Sequence, residues 1–332
     1  MKHSQPICKI FSLILFLLLC AGCGDPPATL HEQKKPEAVK MELLLNWYPE
    51  AEHGGYFSAL AEGLYAAEGL DVDIQDGGPS APVMQKVARG ELVFGVANAD
   101  DVVNAQAAAA DVVALMAPLQ INPRCIMVRA DSNIMNFADL HDMTLAMSAR
   151  PSFSHFLQKK YELKNVRVVP YPASIQPFIT EKNFAQQAYS ISEPYLAKLE
   201  GVATRVLMVS DTGFNPYASV LVARRKTIQE HPDWVAKLTR ASIKGWAAYL
   251  AAPKLANFVI NQRNPGMSIE ILEFGAEKLK PLALTHDTRD SGLGTMQASR
   301  WQTLVEQMTE AGIVQPGSVE PARLYELNFS HP

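Results

Sequence analysis

The sequence predicts an α/β protein built on parallel strands, and three features near its first hundred residues predict it. Met41 to Leu45 is an apolar run that ends abruptly at Asn46. A segment with apolar residues at i, i+3 and i+4 follows, as in a helix, and Gly69 stands where helices commonly end. Leu70 to Gln75 then alternates apolar and polar residues, which indicates a half-buried strand. Strand, helix and strand in this order favour a parallel pair.

Similar strand–helix units are predicted along the rest of the chain. Pro82 begins a helix that Gly90 ends, and the apolar run Leu92–Ala97 indicates a buried strand. A long helix is predicted to begin at Pro232, and helices are expected from there to about Gly312. The further strands are expected at Val112–Met116, Cys125–Val128, Thr144–Met147, Val166–Val169, Ala185–Tyr189, Thr204–Val209 and Ala218–Ala223.

Residues 1–23 have the pattern of an export signal. Lys2 and Lys9 supply positive charge, and Ile10–Leu19 is an apolar core too short to span a bilayer as a mature helix. Small residues before Cys23 resemble a lipoprotein processing site, which would make Cys23 the lipidated first residue. Cys20 stands where that pattern usually has leucine, and ordinary cleavage is the alternative. Both outcomes place the protein outside the cytoplasm, in the periplasm or cell envelope.

Residues 24–40 contain three prolines and many charges, so we expect a flexible tether that reaches roughly 20 Å. The whole chain has 30 basic and 34 acidic side chains. Removing the signal peptide takes away two lysines and no acids, which leaves 28 against 34, or −6. This balance argues against a nucleic-acid partner. If Cys23 is lipidated, only Cys125 stays free, so no intrachain disulfide is expected.

The loop after the first predicted strand has the residue types of a small-molecule site. Ligands of open α/β sheets bind at the carboxyl ends of the strands. Trp47 and Tyr56 can stack on a planar ring, although packing between loop and helix is the alternative. Asn46 offers a donor and an acceptor, or caps the turn. His53 can bind a ligand or cap the next helix, and with no second ligand nearby it indicates no metal site.

Three further residues are candidates at other predicted strand ends. Asn98 lies between a strand and a helix start, where it caps the helix or lines a cleft. Gln120 lies in a strand-end loop and faces either ligand or solvent. Glu193 precedes a proline that starts a helix, where an acidic residue is also favoured by the helix dipole.

The chain resembles a known family of transport proteins. The stretch NWYPEAEHGGYFSALAEGLYAAEGLDVDI, which starts at Asn46, resembles the opening of ABC-transporter substrate-binding proteins of the thiamine-pyrimidine and riboflavin branch. Nitrate, sulfonate and taurine binders are relatives of that branch. The resemblance extends through GGPSAPVMQKVARGELVFGVANADDV, SISEPYLAKLEG and DTGFNPYASVLVARR, and covers roughly residues 41–250.

The resemblance implies a periplasmic-binding-protein fold of type II, with two α/β lobes, a hinge and a ligand cleft between them. Lobe 1 is expected to comprise residues 41–129 and 217–332, and lobe 2 residues 130–216. In pyrimidine binders the glutamate that matches Glu193 accepts hydrogen bonds from ring amino groups, and Tyr189 matches another aromatic residue of the cleft. Phe214 and Tyr217 flank the return crossover, where they contact ligand or stiffen the hinge.

The implied function is the substrate-binding component of an ABC importer. It would carry a thiamine pyrimidine precursor or a riboflavin-like ring to an inner-membrane permease and its ATPase. We expect a monomer without cofactor that touches the membrane only through its lipid anchor. The acidic side chains of Asp100, Asp101 and Glu193 disfavour a small anion as the ligand. A binder of sulfonate, taurine or nitrate in the same transporter class is therefore the less favoured alternative.

Two other classes of function are less favoured by the sequence. A thiamine-pyrimidine biosynthetic enzyme would be expected to carry a cysteine-rich segment, whereas Cys125 stands alone, and the chain has no G-x-S-x-G or phosphate loop. A sensor subunit that signals to a membrane partner stays open as a third class.

Overall fold

A computed structural model of the chain describes residues 38–79, 81–90 and 94–329. All described residues belong to one compact unit, which lies within Glu37–Pro332. The predicted signal peptide with Cys23 lies outside the described residues, and so does most of the predicted tether. Across the described ranges, none of the helices combines the length and apolar character that crossing a membrane requires.

The described residues form ten strands in two five-stranded sheets. The strands are β1 (Val39–Leu44), β2 (Leu70–Gln75), β3 (Phe94–Ala97), β4 (Val112–Met116), β5 (Arg124–Arg129), β6 (Thr144–Ala146), β7 (Arg167–Val169), β8 (Phe184–Tyr189), β9 (Thr204–Met208) and β10 (Val220–Arg224). The order is β2-β1-β3-β10-β4 in the first sheet and β7-β6-β8-β5-β9 in the second. One strand in each sheet, β10 and β5 respectively, runs against the others.

The two antiparallel strands are the ones with which the chain enters each sheet from the other. The chain leaves the first sheet after β4, enters the second with β5, and returns after β9 with β10. The sequence expectation that residues up to 129 belong to lobe 1 differs from this arrangement, because Arg124–Arg129 pairs with β8 and β9. We therefore propose that the lobes meet at two crossings, residues 117–123 and 209–219.

Thirteen α-helices lie within the described residues. They are α1 (Gly54–Ala61), α2 (Leu64–Ala67), α3 (Val83–Arg89), α4 (Ala99–Ala107), α5 (Ser152–Lys160), α6 (Gln176–Thr180), α7 (Glu193–Leu199), α8 (Arg225–Glu230), α9 (Pro232–Ala251), α10 (Lys254–Arg263), α11 (Ile269–Ala283), α12 (His286–Ser291) and α13 (Ala298–Glu310). The sequence predicted one helix where α1 and α2 lie. Gly63 divides them because its backbone is left-handed, with φ of 69°.

Helix α1 packs against α9 at very close range, which fixes the loop that precedes it. A Cβ atom on Gly55 would lie 2.1 Å from a ring carbon of Trp246, and one on Gly54 would lie 2.1 Å from the Tyr249 ring. Only glycine allows this approach, since such a distance is far inside van der Waals contact. His53 directly precedes this pair, so its place at the end of the loop is set by the packing of α1.

A continuous apolar cluster joins the facing sides of the two sheets. It includes Val102 of α4 and Val222 of β10 on one side, and Leu145 of β6 and Phe153 of α5 on the other. Trp301 of α13 is fully buried in the same cluster. The two halves of the described unit are therefore in direct contact, and the cleft between them is closed.

Candidate ligand-binding site

Polar side chains of the two sheets meet where parallel strands end. The first sheet contributes the loop after β1 and the start of α4 after β3. The second sheet contributes the start of α5 after β6 and the segments that follow β7 and β8. Asn104 of α4 donates from Nδ2 to the Ser152 hydroxyl of α5 at 3.1 Å, which brings these two helix starts together. This edge is the position at which open α/β sheets bind ligands.

Asn46 and His53 form a hydrogen-bonded pair in the loop after β1. The His53 Nε2 atom donates to Asn46 Oδ1 at 3.0 Å, so Nδ1 is the unprotonated nitrogen. Burial lowers the pKa of His53 to about 3. His53 is thus neutral at physiological pH, and its 3.5 Å approach to Glu52 Oε1 is not an ion pair. The Nδ1 atom has no hydrogen-bond partner among the described residues, which leaves it as an acceptor.

Two carboxyl groups in the same loop are buried, and burial raises the pKa of both. Burial, with the charges of Glu52 and Glu193, raises the pKa of Glu50 well above its ordinary value. Burial raises the pKa of Glu52 to about 8, although the nearby charge of Arg124 opposes the shift. The Glu52 Oε2 atom has no partner among the described residues. A protonated carboxyl group donates one hydrogen bond and accepts another, so Glu52 can pair with both kinds of ligand atom.

Asn98 begins α4, as the capping alternative predicted. Asp101 Oδ2 accepts from the Asn98 backbone N–H at 3.1 Å, which is one half of a capping box. Burial and the charge of Asp100 raise the pKa of Asp101 to about 7. Burial also raises the pKa of Asp100, whereas Arg124 and Ser152 lower it.

Arg124, at the start of β5, lies at the centre of these acidic groups. Its guanidinium carbon lies 4.6 Å from the centre of the Phe153 ring and 5.0 Å from that of Tyr189. Burial alone would lower the pKa of Arg124, but Tyr189 and three acidic residues, Asp100, Asp101 and Glu52, raise it. Arg124 was not among the predicted site residues. The sheet topology could have indicated Arg124. Because β5 runs antiparallel to its neighbours, its first residue lies at the edge of the sheet where the parallel strands end.

Three donors of the second lobe bind the Glu193 carboxylate. Its Oε1 atom accepts from the Tyr171 hydroxyl at 2.9 Å. Its Oε2 atom accepts from the Tyr189 backbone N–H at 2.9 Å and from the Ser192 hydroxyl at 2.7 Å. The carboxylate therefore ties the segment after β7 to the end of β8. Each oxygen has two lone-pair positions, so Glu193 keeps acceptor capacity for a ligand.

Tyr56 lies in the core of the first lobe rather than at the cleft. Its side chain is fully buried, and its hydroxyl donates to the Ser219 carbonyl at 2.7 Å. Its ring meets Trp246 edge-on, with centroids 5.9 Å apart. In this conformation Tyr56 therefore packs within the protein, which is the alternative to ligand stacking that the sequence left open.

Gln120 and Tyr217 also use their polar atoms within the protein. The Gln120 amide donates to the carbonyls of Ala117 at 2.9 Å and Thr295 at 3.0 Å. The Tyr217 hydroxyl accepts from the Gln297 backbone N–H at 2.9 Å. Both side chains therefore brace the crossing segments, and neither offers a free polar group to the cleft.

Little space is left between the lobes in this conformation. A cavity of about 10 Å³ remains. It is lined by Asp100, Asn122, Arg124, Phe153, Val209, Phe214 and Pro216. Phe214 lies on its wall and stacks on Phe156 with ring centroids 4.7 Å apart. Small-molecule sites usually need about 300 Å³ or more, so a ligand can enter only if the lobes separate.

Trp47 lies beside a second, more open space. The Trp47 side chain is half-buried and meets Tyr48 edge-on, with centroids 5.5 Å apart. Tyr48 lines a surface groove of about 560 Å³ that extends along β1 and β2 to Glu42. None of the buried carboxyl groups lines this groove. Among the predicted residues, the structure joins Asn46 to His53 and Tyr189 to Glu193 by hydrogen bonds, whereas Trp47 lies beside the groove.

Solved structures show which class of fold this is. The periplasmic aliphatic sulphonate-binding protein of Escherichia coli matches with a TM-score of 0.67 at 15% identity, over 89% of this chain and 94% of that one. The periplasmic nitrate-binding protein of Synechocystis matches with 0.65 at 12% identity, over 88% and 87%. A Candida albicans protein described as having the generic periplasmic binding protein fold matches with 0.61 at 11% identity, over 87% and 96%. The described residues therefore adopt the periplasmic-binding-protein fold.

The chain belongs to the NMT1/THI5-like family, which matches residues 50–256. A riboflavin-binding protein of Chloroflexus aurantiacus is 25% identical over 328 residues, which cover 91% of this chain and 92% of the relative. A formylaminopyrimidine-binding protein of Halalkalibacterium halodurans is 25% identical over 307 residues, which cover 90% and 92%. Both relatives span nearly the whole chain.

Proposed function

We propose that the protein is the extracytoplasmic substrate-binding component of an ABC importer and that its ligand is a small planar heterocycle with N–H groups. The two lobes separate to admit the ligand, close around it and present the closed form to a permease. Closure by hinge motion is a usual device of two-lobed binding proteins. No chemical step on the ligand is required.

The observation that carries this proposal is the pair of buried carboxyl groups after β1. Glu50 and Glu52 are almost fully buried, and burial raises the pKa of both. A carboxyl group that holds its proton donates to a ring nitrogen and accepts from an adjacent amino or imino N–H. An aminopyrimidine or a flavin presents such donor and acceptor atoms side by side. Trp47 follows β1 and Tyr189 ends β8, and their rings offer aromatic faces for such a ligand.

The named relatives support the same class of ligand. Proteins named for riboflavin and for formylaminopyrimidine share a quarter of their residues with this chain over nearly its whole length. The choice between a pyrimidine and a flavin is set by the volume of the open cleft. The export signal and Cys23 of the sequence favour a lipid-anchored protein of the cell envelope, joined to its anchor by the residue 24–40 tether.

A small anion is the second candidate ligand, and Arg124 is the observation that favours it. The guanidinium group lies at the cleft and holds its charge. Asp100, Asp101 and Glu52 surround it, however, and each of them compensates its charge when ionised. An anion would have to compete with three acidic groups, which makes the heterocycle the better-supported ligand.

Ligand titration of the purified protein tests the proposal. The protein is unfolded and refolded to remove carried-over ligand, and then titrated with hydroxymethylpyrimidine, formylaminopyrimidine, thiamine, riboflavin, taurine and nitrate. Calorimetry and Trp fluorescence report binding. Trp47→Ala should weaken binding of the preferred heterocycle by about tenfold, because it removes an aromatic face.

Trp234→Ala is the matched control. Trp234 stacks on His231 at the start of α9, with centroids 3.8 Å apart, and is no part of the proposed site. This variant should bind like the wild type. Binding of taurine or nitrate alone would replace the heterocycle by the anion, and equal loss in both variants would remove Trp47 from the site.

A further inference from the structure

The N-terminus of α5 lacks a cap from its own chain segment. The residue at the N-cap position is Pro151, which has no side-chain acceptor, and within the described residues no side chain at this position caps the helix. Ser152 and Phe153, which begin the helix, are both buried. The backbone N–H groups in a first helical turn need acceptors from elsewhere, and the helix dipole makes that end attract negative charge.

Asp100 of the other lobe supplies this acceptor. It lies in the first turn of α4 and lines the same small cavity as Phe153. Burial raises the pKa of the Asp100 carboxyl group, and hydrogen bonding with the Ser152 hydroxyl and backbone N–H opposes that shift. The Ser152 hydroxyl in turn accepts from Asn104 Nδ2 at 3.1 Å, so its donor and acceptor sides are both used.

Arg124 completes the surroundings of the Asp100 carboxylate. Its guanidinium group lines the same cavity and lies against the Phe153 ring, 4.6 Å from its centre. A helix N-terminus, a serine hydroxyl and an arginine beside one another are the donors that bind a small oxyanion. Here the chain's own carboxylate occupies that position.

We propose that Asp100 is the specificity-determining residue of the cleft, an internal anion that fills an oxyanion position between the lobes and thereby excludes anionic ligands. This inference deepens the proposed function and rests on it only for the place of the cleft. When the lobes close, Asp100 makes the contacts that the anionic group of a ligand would otherwise make. Its carboxylate then repels any second anion, and its volume leaves no room for one.

The test removes the carboxylate and offers an anion of similar shape. Asp100→Ala and Asp100→Ser leave space at the start of α5 and keep Arg124, and the full-length wild type and both variants are titrated with ethanesulfonate and nitrate by calorimetry. Each variant should bind ethanesulfonate at least about tenfold more tightly than the wild type. Asp100→Asn removes the charge but fills the space, and its gain should be smaller than that of Asp100→Ala.

Asp101→Ala is the matched control, since it removes a carboxylate one position further along the same helix. Asp101 Oδ2 is bonded to the Asn98 N–H and not to α5, so this variant should gain no affinity for ethanesulfonate. Circular dichroism checks that each variant is folded, and Asp100→Ser serves if Asp100→Ala does not fold. Folded Asp100 variants that bind no ethanesulfonate, or an equal gain in Asp101→Ala, would overturn the proposal.

Heterocycle binding by the wild type separates this proposal from the proposed function. Suppose that the wild type binds no heterocycle while Asp100→Ala gains affinity for ethanesulfonate. That result would support the role of Asp100 and contradict the proposal that the ligand is a heterocycle. If the wild type itself binds ethanesulfonate as tightly as Asp100→Ala, Asp100 excludes nothing.

Discussion

Arg124 and Tyr189 lie directly opposite each other on β5 and β8, and Arg124 Nη2 donates to the Tyr189 hydroxyl at 3.1 Å. The same guanidinium group is the positive charge that faces Asp100, Asp101 and Glu52. Its position explains how a cleft so rich in acidic groups remains compatible with a closed structure, because one cation compensates several partly ionised carboxyl groups.

Replacing Arg124 should destabilise the protein, and more so at high pH. Arg124→Gln leaves the acidic groups without a buried cation, which should lower the free energy of unfolding by about 2 kcal/mol at pH 8. At pH 5 the loss should be smaller, because the raised pKa values of Glu52 and Asp101 leave both carboxyl groups protonated. Urea unfolding at the two pH values measures the difference.

Arg129→Gln is the control for this experiment. Arg129 ends the same strand and pairs with the exposed carboxylate of Asp131 at 3.2 Å. Surface pairs of this kind contribute about 0–1 kcal/mol, so the variant should change little at either pH. A loss in Arg124→Gln that is independent of pH would contradict the electrostatic explanation.

Glu52 should make the protein less stable as the pH rises. The folded protein holds the Glu52 proton up to a pKa of about 8, whereas the unfolded chain releases it near the ordinary value of 4.5. Between these values the folded state binds more protons than the unfolded state, so stability falls as the pH increases. Glu52→Gln removes this dependence, and its stability relative to the wild type should rise from pH 5 to pH 9.

Urea unfolding at pH 5, 7 and 9 measures this effect. His53, whose lowered pKa acts in the opposite direction below pH 6.5, is present in both proteins and cancels in the comparison. Glu42→Gln changes an exposed carboxylate on β1 and should show no such trend. Parallel stability curves for the wild type and Glu52→Gln would refute the assigned burial of the Glu52 charge.

A methyl group on Gly55 should disrupt the contact between α1 and α9. The added Cβ atom would lie 2.1 Å from the Trp246 ring, so the helix has to move. Overpacking of this kind costs about 1–3 kcal/mol, and Gly55→Ala should lower the thermal midpoint accordingly. Gly78→Ala is the control, because its Cβ would meet the Tyr48 ring at an ordinary 3.4 Å. Equal midpoints for the two variants would show that α1 does not approach α9 this closely.

Glu193 should affect stability and ligand binding together. Glu193→Ala removes the acceptor of the Tyr171 hydroxyl, the Tyr189 backbone N–H and the Ser192 hydroxyl. Leaving these donors unpaired should cost about 2 kcal/mol, and the displaced Tyr189 should weaken heterocycle binding. Glu193→Gln keeps one acceptor oxygen and should lose less of both. Urea unfolding and ligand titration of the two variants test whether Glu193 stabilises the fold as well as the ligand. If Glu193 only contacted the ligand, the variants would lose affinity without losing stability.

Local patterns in the sequence predicted much of the fold. The parallel pair of β1 and β2 and the N-cap at Asn98 were predicted, because each depends on residues close together in the chain. The two-lobe arrangement came from the resemblance and is confirmed by the solved structures. The sheet to which β5 belongs was not predictable, since an apolar run does not reveal its neighbours.

The site was less predictable, for the same physical reason. The partner of the Tyr56 hydroxyl lies 163 positions away at Ser219, and a partner of the Gln120 amide lies 175 positions away at Thr295. Such contacts decide whether a strand-end residue faces a ligand or the core. Arg124 was not among the predicted site residues because its acidic neighbours follow two other strands, β1 and β3. The ligand roles of the remaining predicted residues stay predictions until titration tests them.

The central position of β10 governs the order in which the molecule can be completed. In the strand order of the first sheet, β4 lies beside β10, and β10 separates it from β3. Every strand of the second sheet precedes β10 in the chain. A growing chain can therefore finish its second sheet before its first, and the first stays open at its middle until Arg224 has been added. Truncation anywhere before Val220 leaves β3 and β4 with unpaired edges, which makes shortened products prone to association.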